Sequence, residues 1–139
     1  IYLKRNLRSV CNSILSARQK RFGVINKYYG AKPSSWQKIK SIDDPIVQVL
    51  QQVHDLHNEM ESDLKLLPSQ DVFELDISLL RNKPSEVSDL IADFINIKGL
   101  PREINYPTFS NRDNMPFFDN TYEDKFEDAW KLIFRETIK

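Results

Sequence analysis

The sequence predicts a mainly α fold: a small helical bundle with a basic N-terminal helical arm and a long Pro- and aromatic-rich loop before the last helix. Three observations predict it. Apolar residues recur at spacings of three and four in four separate segments. Only 3 Gly occur in 139 residues, which leaves almost nothing for Gly-dependent hairpins or phosphate-cradling loops. Helix-start signals, Asp43-Asp44-Pro45 foremost, stand directly before apolar periodic runs.

The first element is expected within "LKRNLRSVCNSILSARQKRF". Leu3, Leu7, Val10, Cys11, Ile14 and Leu15 form one stripe, with Lys4, Arg18 and Arg21 in or beside it. The stripe weakens after Leu15. Gly23 and Gly30 then flank the short piece "VINKYY", and "AKPSSW" reads as a loop. A cleaner helix follows from "SIDDPIVQVL" to "ESDLKLL". Asp43 or Asp44 caps it, Pro45 takes its first position, and Pro68 ends it or follows shortly after. Ile46, Val49, Leu50, Val53, Leu56, His57, Met60 and Leu64 lie along its face.

"SQDVFELDISLLRN" fits a short helix about as well as a strand. Pro84 starts the next helix, with Val87, Leu90, Ile91, Phe94 and Ile95 on one face and Gly99 as its expected C-terminal cap. The segment "LPREINYPTFSNRDNMPFFDN" holds three Pro and many turn formers, and is read as an extended loop that orders on contact. The last helix opens with "TYED", a capping-box pattern with Asp in the usual Glu position. Tyr122, Phe126, Ala129, Trp130, Ile133 and Phe134 give it an aromatic face.

Charge divides the chain more sharply than hydrophobicity does. Residues 1–41 contain 10 basic residues and no acid, so they carry +10; residues 42–139 contain 10 basic residues and all 20 acids, so they carry −10. The domains expected are therefore a basic arm, 1–41, and an acidic helical body, 42–139. The arm's cations are Lys4, Arg5, Arg8, Arg18, Lys20, Arg21, Lys27, Lys32, Lys38 and Lys40, and Phe22, Tyr28, Tyr29 and Trp36 are interleaved with them. Cations neutralise phosphates and planar rings stack on unpaired bases, so the ten cations with Tyr28, Tyr29 and Trp36 are the candidate RNA-binding surface.

Two other readings of the arm stand beside it. Tyr2 to Ser16 is amphipathic, Arg- and Ser-rich and free of acids, as mitochondrial presequences are. A basic amphipathic helix also suits an anionic membrane surface. The chain opens on Ile rather than Met, which is read as a removed leader or as a piece of a longer chain.

Catalysis is not expected. No nucleophile, base and orienting group can be assembled from the sequence, and no cofactor or small-molecule substrate is implied. His54, His57 and Glu61 occupy metal-ligand spacings on one helix. No third His or nearby Cys joins them, so they read as surface and boundary residues, with no metal. A single Cys, Cys11, excludes an internal disulfide and reads as a small buried hydrophobe. In the acidic body, Phe109, Phe117, Phe118 and Trp130 are candidate contacts to protein partners, with local core packing as the equal alternative for the three Phe.

"KPSSWQKIKSIDDPIVQVLQQVHDLHNEM" resembles a segment of a mitochondrion-specific protein of the large ribosomal subunit, the family numbered fifty. That family has a Pro-Ser-x-Trp-Gln stretch before a leucine-rich helix with acidic residues, here Pro33, Ser34, Trp36 and Gln37. "EVSDLIADFINIKGLP" is similar to its later segment, through Val87, Asp89, Asp93, Phe94, Asn96 and Pro101. The likeness covers about residues 33–101 and leaves the tail from Asn105 outside it. It implies a non-catalytic structural component of the mitochondrial ribosome, located in the mitochondrial matrix. Ribosomal RNA and other mitochondrial ribosomal proteins would be its partners. The alternative is a helical adaptor or assembly subunit of a membrane-associated mitochondrial complex.

Overall fold

A computed structural model describes residues 1–97 and 117–134. Within them the fold is mainly α, as expected, with two short strands. In chain order the elements are β1 (Tyr2–Lys4), α1 (Leu7–Phe22), α2 (Trp36–Ile39), α3 (Pro45–Leu64), β2 (Glu74–Asp76), α4 (Ile77–Asn82), α5 (Pro84–Phe94) and α6 (Glu123–Ile133).

Three helices make the core. Cys11 and Leu15 of α1, Ile46, Val49, Leu50 and Val53 of α3, Phe126 of α6 and its neighbour Phe134 pack together with Ile25. Each buried aliphatic or aromatic side chain contributes roughly 1.5–3 kcal/mol. The rings of α6 run as a ladder along this seam: Phe126 stacks on Trp130 at 6.0 Å between centroids, and Trp130 on Phe134 at 3.9 Å. Phe134 then meets the edge of His54 on α3 at 5.4 Å.

The division at residue 41 is thus one of charge and not of packing. Helix α1 is no appended arm: it supplies Cys11 and Leu15 to the same core as α3 and α6. Phe117, Phe118 and Trp130, candidates for partner contacts, are half-buried and packed against this core. Phe117 lies 4.9 Å from Phe126, and the Phe118 backbone N–H donates to Asn12 Oδ1 of α1 at 2.9 Å. All three rings pack locally, which for Phe117 and Phe118 is the equal alternative expected. Phe109 and Gly99 lie outside the described residues.

The helix ends explain several boundaries. Asn6 caps α1 by accepting from Ser9 N–H at 3.0 Å. Gly23 closes it in the left-handed region, φ 72°. Asp44 caps α3, with Pro45 at its first position, as the sequence predicts. Asn96 takes the left-handed position after α5, with φ 55°. Its N–H bonds to the Asp93 carbonyl while Ile97 N–H bonds to the Ala92 carbonyl, a Schellman closure built on Asn where Gly99 was the expected cap. Thr121 does not cap the last helix either. Asp119 accepts from Thr121 N–H and hydroxyl over a 3-10 turn, and α6 begins at Glu123.

The ambiguous segment 69–82 resolves into both options, β2 followed at once by α4. Strand β2 pairs in parallel with β1, with Tyr2 opposite Glu74, Leu3 opposite Leu75 and Lys4 opposite Asp76. Leu3 therefore belongs to a strand and not to the helical stripe. Leu75 of β2 and Val87 and Ala92 of α5 are buried, and Phe73 lies against Phe94 at 5.2 Å.

Candidate nucleic-acid interface

The thirteen predicted RNA-binding residues fall into three groups by environment. Lys4 and Arg8 are already paired within the chain, Lys4 with Glu74 across the strand pair and Arg8 with Glu127 of α6. Arg8 also stands 5.7 Å over the Phe126 ring. Arg5 donates to Ser13 Oγ at 3.3 Å. These three cations tie the first residues to the body.

Arg18 is a correction to the predicted surface. It is 0% exposed and continues the buried side of α1 at the spacing set by Cys11 and Leu15. Its Nη1 donates to the Ile25 carbonyl at 3.1 Å and to Gln48 Oε1 at 2.9 Å, and its Nη2 donates to Gln52 Oε1 at 3.3 Å. No carboxylate among the described residues pairs with it, and its Nε has no hydrogen-bond partner among them. Burial pushes the guanidinium down to about 10. A group so enclosed cannot reach a phosphate.

The remaining cations, Lys20, Arg21, Lys27, Lys32, Lys38 and Lys40, are all exposed. None of them pairs with a carboxylate among the described residues. They lie on the last turn of α1, on the loop that follows and on α2 and its end. Rings stand among them. Tyr28 and Trp36 lie 4.3 Å apart, tilted by 56°, and Lys32 sits over both, at 5.3 and 5.8 Å. Arg21 lies over Phe22 at 5.8 Å and Tyr29 at 6.0 Å, and Lys27 over Phe22 at 5.7 Å. Each contact keeps an apolar ring and a cation side by side at the surface, the pairing that single-stranded nucleic acid uses for stacking and phosphate neutralisation.

The loop carrying them has little regular structure, yet α3 holds it at several points. Gln52 Nε2 donates to the Tyr29 carbonyl at 3.2 Å and the Ala31 carbonyl at 2.8 Å. Ser34 donates to Glu59 through both its N–H and its hydroxyl, and Ser35 Oγ donates to Asp55. Gly30 adopts φ 103°, and a Cβ there would come within 3.2 Å of Gln52 Nε2, so the turn needs glycine.

The sequence reading missed Gln48 and Gln52. The two glutamines had a visible signal: they stand one helical turn apart among Val49, Leu50 and Val53, where an apolar face would continue. Phe22, expected from the sequence to lie among these cations, does so, with Arg21 and Lys27 over its ring. His54 bonds to Asp55 at 3.1 Å, and His57 lies 3.5 Å from the Tyr2 hydroxyl. Comparison of the chain with protein-family models, with curated proteins and with solved structures finds no match.

Proposed function

We propose that this chain is a structural, non-catalytic component of the large subunit of the mitochondrial ribosome, in the mitochondrial matrix. It grips ribosomal RNA through the surface formed by Lys20, Arg21, Phe22, Lys27, Tyr28, Tyr29, Lys32, Trp36, Lys38 and Lys40. The observation that carries this reading is the set of six exposed cations left without an acidic partner among the described residues, interleaved with rings. Where the chain uses an arm cation internally it pairs it, as with Lys4 and Arg8, or buries it, as with Arg18. The resemblance over about residues 33–101 supports the ribosomal setting and includes Trp36 of this surface. The acidic remainder of the chain suits contact with basic neighbouring ribosomal proteins.

The test is twofold. Sucrose-gradient fractionation of mitochondrial lysate should place the chain with large ribosomal subunits, and ribonuclease should release it. Isolated chain should bind single-stranded RNA with a log–log salt slope of about −4, from six phosphate contacts. Reversing Lys27, Lys32 and Lys38 to Glu should flatten that slope by about 2 and block incorporation. Migration in a light or membrane-bound complex indifferent to ribonuclease would favour the adaptor reading instead.

A further inference from the structure

The loop that presents the rings is anchored from beneath by a cation that never reaches the surface. Arg18, Gln48 and Gln52 sit at the junction of α1 and α3, at 0%, 9% and 0% exposure. Together they bind the loop carbonyls of Ile25, Tyr29 and Ala31. Gln48 Nε2 also reaches the Ile39 carbonyl at the end of α2, at 3.5 Å. One cluster therefore holds both ends of the stretch that carries Lys27, Tyr28, Tyr29, Lys32 and Trp36.

The composition of the cluster is informative. A buried guanidinium with only neutral acceptors gains far less than an ion pair, while it still bears its desolvation cost. A fold selected for stability alone would place an aliphatic side chain after Leu15 on this stripe. What the guanidinium supplies is directional: a planar fork whose two Nη groups engage a loop carbonyl and two amide oxygens at once. Gln52 then passes that order on, since its oxygen is held by Arg18 and its Nε2 is thereby aimed at Tyr29 and Ala31.

We propose that Arg18, with Gln48 and Gln52, is a positioning cluster that fixes backbone 25–31, so that Lys27, Tyr28, Tyr29 and Lys32 present one preformed surface to unpaired RNA bases. This rests on the RNA-binding reading above. It assigns Arg18 to affinity through preorganisation and not through phosphate contact, because a surface ordered in advance spends less entropy on binding.

The variants are Arg18→Met, which keeps the side chain's length and removes its donors, and Gln52→Ala, which removes two loop anchors without touching charge. Cys11→Ala, a buried change on the same helix that removes no hydrogen bond to the loop, is the control. Arg18→Met removes a desolvated cation and also strands its acceptors, so its melting temperature should stay within about 5 °C of the parent. Trypsin cleavage after Lys27, measured against cleavage after Lys65, should quicken about tenfold, the effect of losing a local protection of that order. Affinity for a single-stranded RNA oligonucleotide should fall about tenfold, the equivalent of one lost stacked base, with the salt slope unchanged. The control should move neither.

A folded Arg18→Met with parental cleavage and affinity overturns the proposal. So does a salt slope reduced by about 0.7 with cleavage unchanged, which would make Arg18 a phosphate ligand. If Arg18→Met fails to fold, Gln52→Ala is judged on the same two readouts. If the parent chain does not bind RNA at all, the ribosomal reading falls, and cleavage at Lys27 still decides whether the cluster holds the loop.

Discussion

Asp44 joins two helices with one carboxylate. Its Oδ1 accepts from Ile46 N–H at 2.9 Å and so caps α3, while its Oδ2 meets Lys125 Nζ of α6 at 2.7 Å. Burial alone would raise this carboxyl, but the bonds from Lys125 and Ile46 outweigh it and hold it below its ordinary value of 3.8. Asp44→Ala should cost about 1–2 kcal/mol, from lost cap and lost ion pair together. Asp44→Asn keeps an acceptor at the cap and should cost under about 1 kcal/mol. Urea denaturation of both variants checks this, and equal losses would refute the division of labour. The folded pKa is depressed, so this stability is complete above 3.8 and is lost as pH falls through the lower folded value. The parent's melting temperature should drop below about pH 4, and that of Asp44→Asn should drop less.

Tyr2 gives the opposite pH signature. Burial, followed by the hydrogen bond it donates to Glu61 at 3.1 Å, pushes its hydroxyl up to about 12 from 10.0. The folded chain holds this proton more tightly than the unfolded chain does. Its contribution is therefore complete below pH 10 and lost between 10 and 12. A spectrophotometric phenolate titration should show a step near pH 12 that Tyr2→Phe removes. The substitution should also cost about 1 kcal/mol, and loss of stability without loss of the late step would count against the assignment.

Arg8 separates structural charge from binding charge. Arg8→Glu faces Glu127 with a second carboxylate and removes the cation over Phe126. It should lower stability by about 1 kcal/mol while leaving the salt slope for RNA unaltered. A reduced slope would place Arg8 on the RNA side of the molecule.

The sequence made the central helix legible because its signals are local. Asp44, Pro45 and the repeat of Ile46, Val49, Leu50 and Val53 act within a few residues of one another, and all were met as expected. Long-range outcomes were not legible. Nothing near Tyr2–Lys4 announces a strand, since its partner lies in a segment that is itself ambiguous. Leu3 matched the helical stripe only by coincidence of spacing.

The candidate surface was legible in its composition and illegible in its sorting. Ten cations with interleaved rings can be counted from the sequence, but whether each is paired, exposed or enclosed depends on α3 and α6. Arg18 shows the limit best. It stood on the apolar stripe from the outset, and its charge outweighed its position in the reading. Its acceptors, 30 and 34 residues away, decide the matter. For Phe117, Phe118 and Trp130, residue type alone did not choose between a partner and the core.

The parallel pairing of Tyr2–Lys4 with Glu74–Asp76 has a temporal consequence. Its strands stand 72 positions apart, so the ladder can close only after the intervening helices have been made. A contact of such long range is costly in chain entropy and late to form. A ribosome synthesising this chain must release residues past Asp76 before Tyr2 finds its partner. Until then Tyr2–Lys4 has no strand to pair with, and closure of the ladder marks the end of that interval.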